Sequence, residues 1–246
     1  MAESGDAERD AEKAGNTKKR VLVVGDMQND YDSKANVELY GEVRSPYAND
    51  IYPLVSIINH IRRSAPWDRV VFTLDWLSAE QLAGRTAFCL EGSVGAELLR
   101  GLDVNEQSDV IFKKNSDDSF CLEGGLAEER TGCRGLGDVL EGLGFSSVDT
   151  CLYFVGQRFE RCLLKSIMHA VDLGYEACII DEGVYTKDHE PDPEWSLRTE
   201  EDAAATAVKA ADVYSAKKGA GRRLAERFLR DSGVRILPRG ADLSVR

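Results

Sequence analysis

The sequence predicts an α/β fold with three layers: a mostly parallel six-stranded sheet with helices on both faces. Two observations carry this. Short apolar, β-branched runs such as Arg20-Val-Leu-Val-Val-Gly25 and Val148-Asp-Thr-Cys-Leu-Tyr-Phe-Val-Gly156 have the near-continuous hydrophobicity of strands buried on both faces. They also alternate with segments of helical periodicity, and such alternation favours parallel strands joined by right-handed crossovers.

In chain order, strands are expected over 21–25, 69–74, 109–113, 148–155, 176–181 and 234–237. Helices are expected over about 49–63, from near Gly95, over 135–143, over 160–173 and around 219–231. The helix 160–173 closes at Gly174, a residue that accepts the left-handed conformation common after helix ends. Thr199-Glu-Glu-Asp202 reads as a capping box for an Ala-rich helix. Residues 184–199, rich in Asp, Glu and Pro, read as a loop insertion.

The 246 residues, 43% hydrophobic and 30% charged, suit one domain over 20–246. Residues 1–19 contain almost no apolar side chain larger than alanine and read as a disordered polar tail. That tail lacks the apolar core of a secretory signal, and no stretch has the ~18–20 apolar residues of a membrane span. The net charge of −12 argues against nucleic acid or an anionic membrane as partner. Cys89, Cys121, Cys133, Cys151, Cys162 and Cys178 show no Cys-x-x-Cys spacing, and reduced thiols fit an intracellular, cytoplasmic setting.

Three strand ends carry chemistry. Asp26 follows the first strand, Lys114 closes the third, and Cys162 falls in the first turn of the helix after the fourth. Ligands of parallel α/β sheets bind beyond the carboxyl ends of the strands, where an acid, a lysine and a thiol can converge. Backbone N–H groups at a helix start favour a thiolate at Cys162, whereas a buried structural cysteine is the plainer alternative.

These pieces resemble the isochorismatase-like cysteine hydrolases, and within them the nicotinamidase (pyrazinamidase) branch. The resemblance runs from about Val21 to about Leu237. It rests on Val-Val-Gly-Asp26-Met-Gln-Asn-Asp-Tyr31, Val-Val-Phe-Thr-Leu-Asp75-Trp and Phe-Cys89-Leu-Glu-Gly-Ser-Val-Gly-Ala-Glu-Leu, then on Ile-Phe-Lys-Lys114 with Ser-Asp-Asp-Ser-Phe120. Gly156-Gln-Arg-Phe-Glu-Arg-Cys162-Leu and Ala170-Val-Asp-Leu-Gly-Tyr175 complete it. It implies a catalytic triad of Asp26, Lys114 and Cys162 and an oxyanion hole from the N–H groups of Arg158 and Cys162. It also implies a cis peptide between Gln157 and Arg158, and a substrate pocket with Tyr31, Phe88 and Phe159.

The departures are equally specific. The branch holds a divalent metal through Asp-x-His and further histidines. Here Asp75 is followed by Leu77, Phe88 stands before Cys89, and residues 78–86 contain no histidine. His60, His169 and His189 lie elsewhere, so no metal and no other cofactor are expected. Arg85 replaces the usual pocket tryptophan, and Arg158 and Phe159 replace small residues of the nucleophile turn. Two functions follow. One is a metal-free cysteine amidohydrolase cleaving the C–N bond of a small amide. The other is a catalytically inactive relative serving as a binding or structural subunit of a larger complex. A homo-oligomer is compatible with either.

Overall fold

The computed structural model describes residues 18–121, 135–186, 226 and 229–244. Six strands form one sheet: β1 (Lys19–Gly25), β2 (Arg69–Asp75), β3 (Val110–Lys114), β4 (Thr150–Gly156), β5 (Glu176–Val184) and β6 (Arg235–Leu237). Their order is β3-β2-β1-β4-β5-β6 and every pair is parallel. The chain winds outward from β1 to β3, crosses back to place β4 on the other side of β1, then winds outward again. The winding therefore reverses between β1 and β4, and a crevice opens there at the carboxyl ends of the strands.

Alternate side chains of each strand feed two cores, as a sheet covered on both faces requires. On one face Val21, Val23, Leu152, Phe154 and Ile179 pack under α3 (Leu136–Gly142) and α4 (Leu164–Asp172). On the other, Leu22, Val24, Phe72, Val155 and Ile180 pack under α2 (Pro53–Ser64) through Leu54, Val55, Ile58 and Ile61. Both layers are continuous, and truncating a side chain such as Ile58 to alanine should cost about 2–5 kcal/mol.

Several boundaries differ from the sequence reading. Lys19, assigned to the tail, opens β1, its N–H donating to the Asp149 carbonyl at 2.7 Å. α2 begins at Pro53 because proline fits a first helical position whose N–H needs no partner. The helix expected near Gly95 is a single 3-10 turn, Val94–Ala96. Gly95 there lies so close to Asp30 that a Cβ would stand 2.2 Å from its carboxylate. A helix absent from the sequence reading, α1 (Ser33–Tyr40), is capped by Asp32, whose carboxylate accepts from the Ala35 N–H at 2.8 Å.

The tail over 1–17, residues 187–199 of the insertion and the Ala-rich helix lie outside the described residues. Of the helix around 219–231, residues 226 and 229–231 are described and helical. Among the described residues no helix is long and apolar enough to cross a membrane.

Candidate active site

The crevice floor is set by glycine. Gly25 and Gly156 are register partners at the ends of β1 and β4. A Cβ on Gly156 would stand 2.2 Å from the Gly25 carbonyl oxygen, so only glycine lets the two strand ends approach this closely. Asp26 follows with φ 52°, a left-handed conformation that costs a non-glycine residue on the order of 1–3 kcal/mol. Its N–H donates to the Thr73 carbonyl at 2.9 Å, which ties this backbone to β2.

Lys114 arrives from the end of β3, with Asp75 as its register partner on β2. Its ammonium donates to Asp26 Oδ2 at 3.1 Å, to the Ser116 carbonyl at 3.1 Å and to Asp75 Oδ1. Three acceptors match the three donors of an ammonium, so this fully buried cation is satisfied. Asp75 is held in turn. Its second oxygen accepts from the Tyr31 hydroxyl, and its N–H and carbonyl pair with the Gln28 carboxamide at 2.8 Å each.

Cys162 comes from the segment after β4. The sequence reading puts it in the first turn of an α-helix, but residues Phe159–Leu163 form a π-helical turn and α4 starts only at Leu164. The Leu163 N–H reaches five residues back to the Arg158 carbonyl at 3.2 Å. The turn delivers the thiol to the crevice floor. Sγ and one carboxylate oxygen each of Asp26 and Asp75 lie within 4.8 Å of one another. Asp117, a residue the sequence reading gave no role, brings Oδ1 to 3.9 Å from Sγ. The Gln157–Arg158 peptide is cis, as the resemblance implies, and the Arg158 N–H makes no backbone hydrogen bond.

Burial dominates the electrostatics. It raises the Asp26 carboxyl, with help from the Asp75 charge and against the pull of Lys114, to a pKa of about 7. Burial also pushes the Cys162 thiol well up, the Asp26 charge adds to this, and Lys114 only opposes it. Burial and the Asp26 charge both oppose the thiolate that the helix start was expected to favour. Burial disfavours the Lys114 ammonium, but Asp26 and Asp75 outweigh it and hold the lysine charged. For Asp117 burial acts upward, yet Arg161 and Lys165 outweigh it and keep the carboxylate ionised.

Above this floor lies a cavity of about 380 Å³, of a size for a small molecule. Tyr31, Tyr47 and Phe88 form one wall, with ring centroids 4.5 Å apart for Tyr47–Phe88 and 6.1 Å for Tyr31–Phe88. Tyr47 had no signal in the sequence reading. Arg85, Arg158 and Arg161 also line the cavity. Phe159, expected in the pocket, does not. It is buried in the core with Leu163, Leu164 and Ile167, and its N–H donates to the Tyr185 carbonyl at 3.0 Å. Its spacing to those residues is that of a helix face turned to the sheet, a signal the resemblance overrode.

The residues do not fit the divalent ion of the nicotinamidase pattern. Asp26, Asp75 and Cys162 are the group among the described residues able to contribute ligand atoms. The Lys114 ammonium already bonds both carboxylates, and Tyr31 takes the remaining oxygen of Asp75. Among the described residues no imidazole joins them: His60 is exposed on α2 and His169 pairs with Asp118 at 2.8 Å.

No family model matches the sequence, and no curated protein matches it. Solved structures do. PnC1 from L. infantum, in complex with nicotinate, superposes with a TM-score of 0.59 at 17% identity, over 92% of this chain and 95% of that one. Pyrazinamidase of Pyrococcus horikoshii, in complex with zinc, gives 0.55 at 17% identity over 89% and 99%. N-carbamoylsarcosine amidase from Thermoplasma acidophilum gives 0.51 at 18% identity over 89% and 95%. With an all-parallel sheet of this order, the chain has the isochorismatase-like fold.

Proposed function

We propose that this chain is a cysteine amidohydrolase that cleaves the C–N bond of a small amide, with Cys162 as nucleophile. The observation that carries the reading is the grouping of Cys162 Sγ within 4.8 Å of the Asp26 carboxylate, itself 3.1 Å from the Lys114 ammonium. One oxygen of Asp26, Oδ1, is buried and has no hydrogen-bond partner, as a base awaiting a proton requires.

In the first half-reaction Asp26 takes the thiol proton as Sγ bonds to the amide carbon. The tetrahedral oxyanion is received by the N–H groups of Arg158 and Cys162, an arrangement of the kind worth a few kcal/mol. Collapse breaks the C–N bond, and the Asp26 proton leaves with the nitrogen as ammonia. In the second, Asp26 takes a proton from water as the water oxygen bonds to the thioester carbon. The C–S bond breaks and Sγ regains its proton. One water is consumed and one ammonia released. Lys114 keeps Asp26 ionised enough to act and offsets the negative charge that gathers at the floor. No step uses a metal.

A catalytically silent binding subunit is the other reading. It requires Arg158 or Phe159 to fill the space beside the thiol. Phe159 lies in the core, and the cavity above Cys162 is open, which favours the hydrolase. The test is ammonia release from a panel of small primary amides, nicotinamide included. The wild type should release ammonia, and Cys162→Ala should lose at least about a thousandfold in rate, as removal of a nucleophile does. Equal rates in the two proteins, or none in either, would reject the proposal.

A further inference from the structure

We infer that the amide this pocket takes carries a carboxylate, which Arg158 receives; the inference rests on the amidohydrolase reading above. Cations outnumber acids at the cavity: Arg85, Arg158 and Arg161 line it with Asp26, Asp75 and Asp117, and Lys114 and Lys165 pair those acids from beside it. Each of the three carboxylates is already bonded to a cation. Asp26 and Asp75 share Lys114, and Asp117 is held by Lys165 at 2.9 Å and Arg161 at 3.4 Å. Arg161 is further committed by lying over the Tyr47 ring, 5.7 Å from its centroid. Arg158 lines the same cavity, yet no carboxylate among the described residues lies within ion-pair distance of it. Arg158 brings to the wall of this cavity an always-charged guanidinium, a planar fork of donors matched to a carboxylate.

The opposite polarity occurs at the floor. Asp26 Oδ1 and Gln157 Oε1 are buried acceptors without partners, and both residues line the cavity. The Gln157 carboxamide is fixed by its donation to the Asp26 carbonyl at 3.0 Å. Unpaired buried acceptors are costly and call for a donor. The two N–H bonds of a primary amide would supply it, leaving the far end of a short molecule for the guanidinium. A volume of about 380 Å³ limits that molecule to a small one.

The experiment compares succinamate with butyramide, amides of equal chain length that differ by a carboxylate in place of a methyl. Ammonia release should favour succinamate by about tenfold or more in kcat/KM, carried mainly by KM, as expected for a charge-assisted bidentate pair. Arg158→Gln should bring the ratio close to one, and Arg158→Lys should restore part of it. Binding is read separately by titration calorimetry of succinamate into full-length Cys162→Ala protein, with and without Arg158→Gln. Arg158→Gln should weaken binding about tenfold, and added salt should weaken it only when Arg158 is present.

Equal handling of the two amides, unaffected by Arg158→Gln, would overturn the inference and leave the amidohydrolase reading intact. Succinamate bound through Arg158 without ammonia release from any amide would defeat the amidohydrolase reading and keep the anion site. Neither turnover nor binding of succinamate would overturn the inference as well.

Discussion

The Lys114 ammonium stands 3.1 Å from the Asp26 carboxylate with both side chains shut off from water. Asp75 bonds the same ammonium from β2, so one cation serves two acids in the interior. Such a cluster is held by its internal bonds. Removing the cation leaves two buried charges that repel each other.

Lys114→Met should therefore destabilise the fold by about 3–5 kcal/mol as well as abolish turnover. Urea unfolding measures this at neutral pH. Adding Asp75→Asn to Lys114→Met should recover part of the loss, because one of the stranded carboxylates is gone. A single variant as stable as the wild type would show that the cluster does not carry this energy.

Asp26 sets the pH dependence. It must be ionised to accept the thiol proton, and its pKa is about 7, so kcat/KM should rise with pH through about 7 along a one-proton limb. Stability runs the other way. A carboxyl raised above its ordinary 3.8 binds protons more tightly in the folded state. Its contribution is full below about 4 and is lost as pH rises through 7. The stability of the wild type relative to Asp26→Asn should therefore fall from pH 4 to pH 8, as followed by denaturant unfolding.

Thiol labelling should follow exposure and charge state. Cys162 is buried and its thiol is pushed up, whereas Cys121 is exposed. Iodoacetamide at neutral pH should modify Cys121 before Cys162, with Cys162 gaining only as pH is raised. Peptide mapping after timed quenches distinguishes them. Immediate labelling of Cys162 at pH 7 would mean that the resting group is a thiolate.

Metal analysis is a further check. With Lys114 bonding Asp26 and Asp75, purified protein should contain no stoichiometric zinc, iron or manganese. Treatment with a chelator should leave both the unfolding midpoint and ammonia release unchanged. Loss of either would locate ligands outside this cluster.

Much of this was legible in the sequence because burial leaves a mark. The apolar runs of β1, β2, β4 and β5 named the sheet, and residues at the ends of β1 and β3 and just after β4 named the site. Pairings set by register were not legible. Asp75 reads in sequence as the remnant of a metal ligand, and only the β2–β3 register, Asp75 beside Lys114, reveals it as a partner of the lysine. The π-helical turn was hidden for a related reason. Five-residue bonding leaves no periodicity in so short a segment, so Cys162 read as part of α4. Asp117 and Tyr47 come from loops, whose positions follow from tertiary packing and not from local pattern. The short helix α1 had readable signals in Asp32 and Gly41, but its polar faces carry little hydrophobic contrast.

Capture of the covalent intermediate tests the central claim most directly. Protein mixed with excess amide and quenched in acid should show, by intact mass and peptide mapping, one acyl group on Cys162 through a thioester. Cys162→Ala should show no adduct and no ammonia. Ammonia release that persists in Cys162→Ala, with no acyl group on the wild-type thiol, would contradict the account.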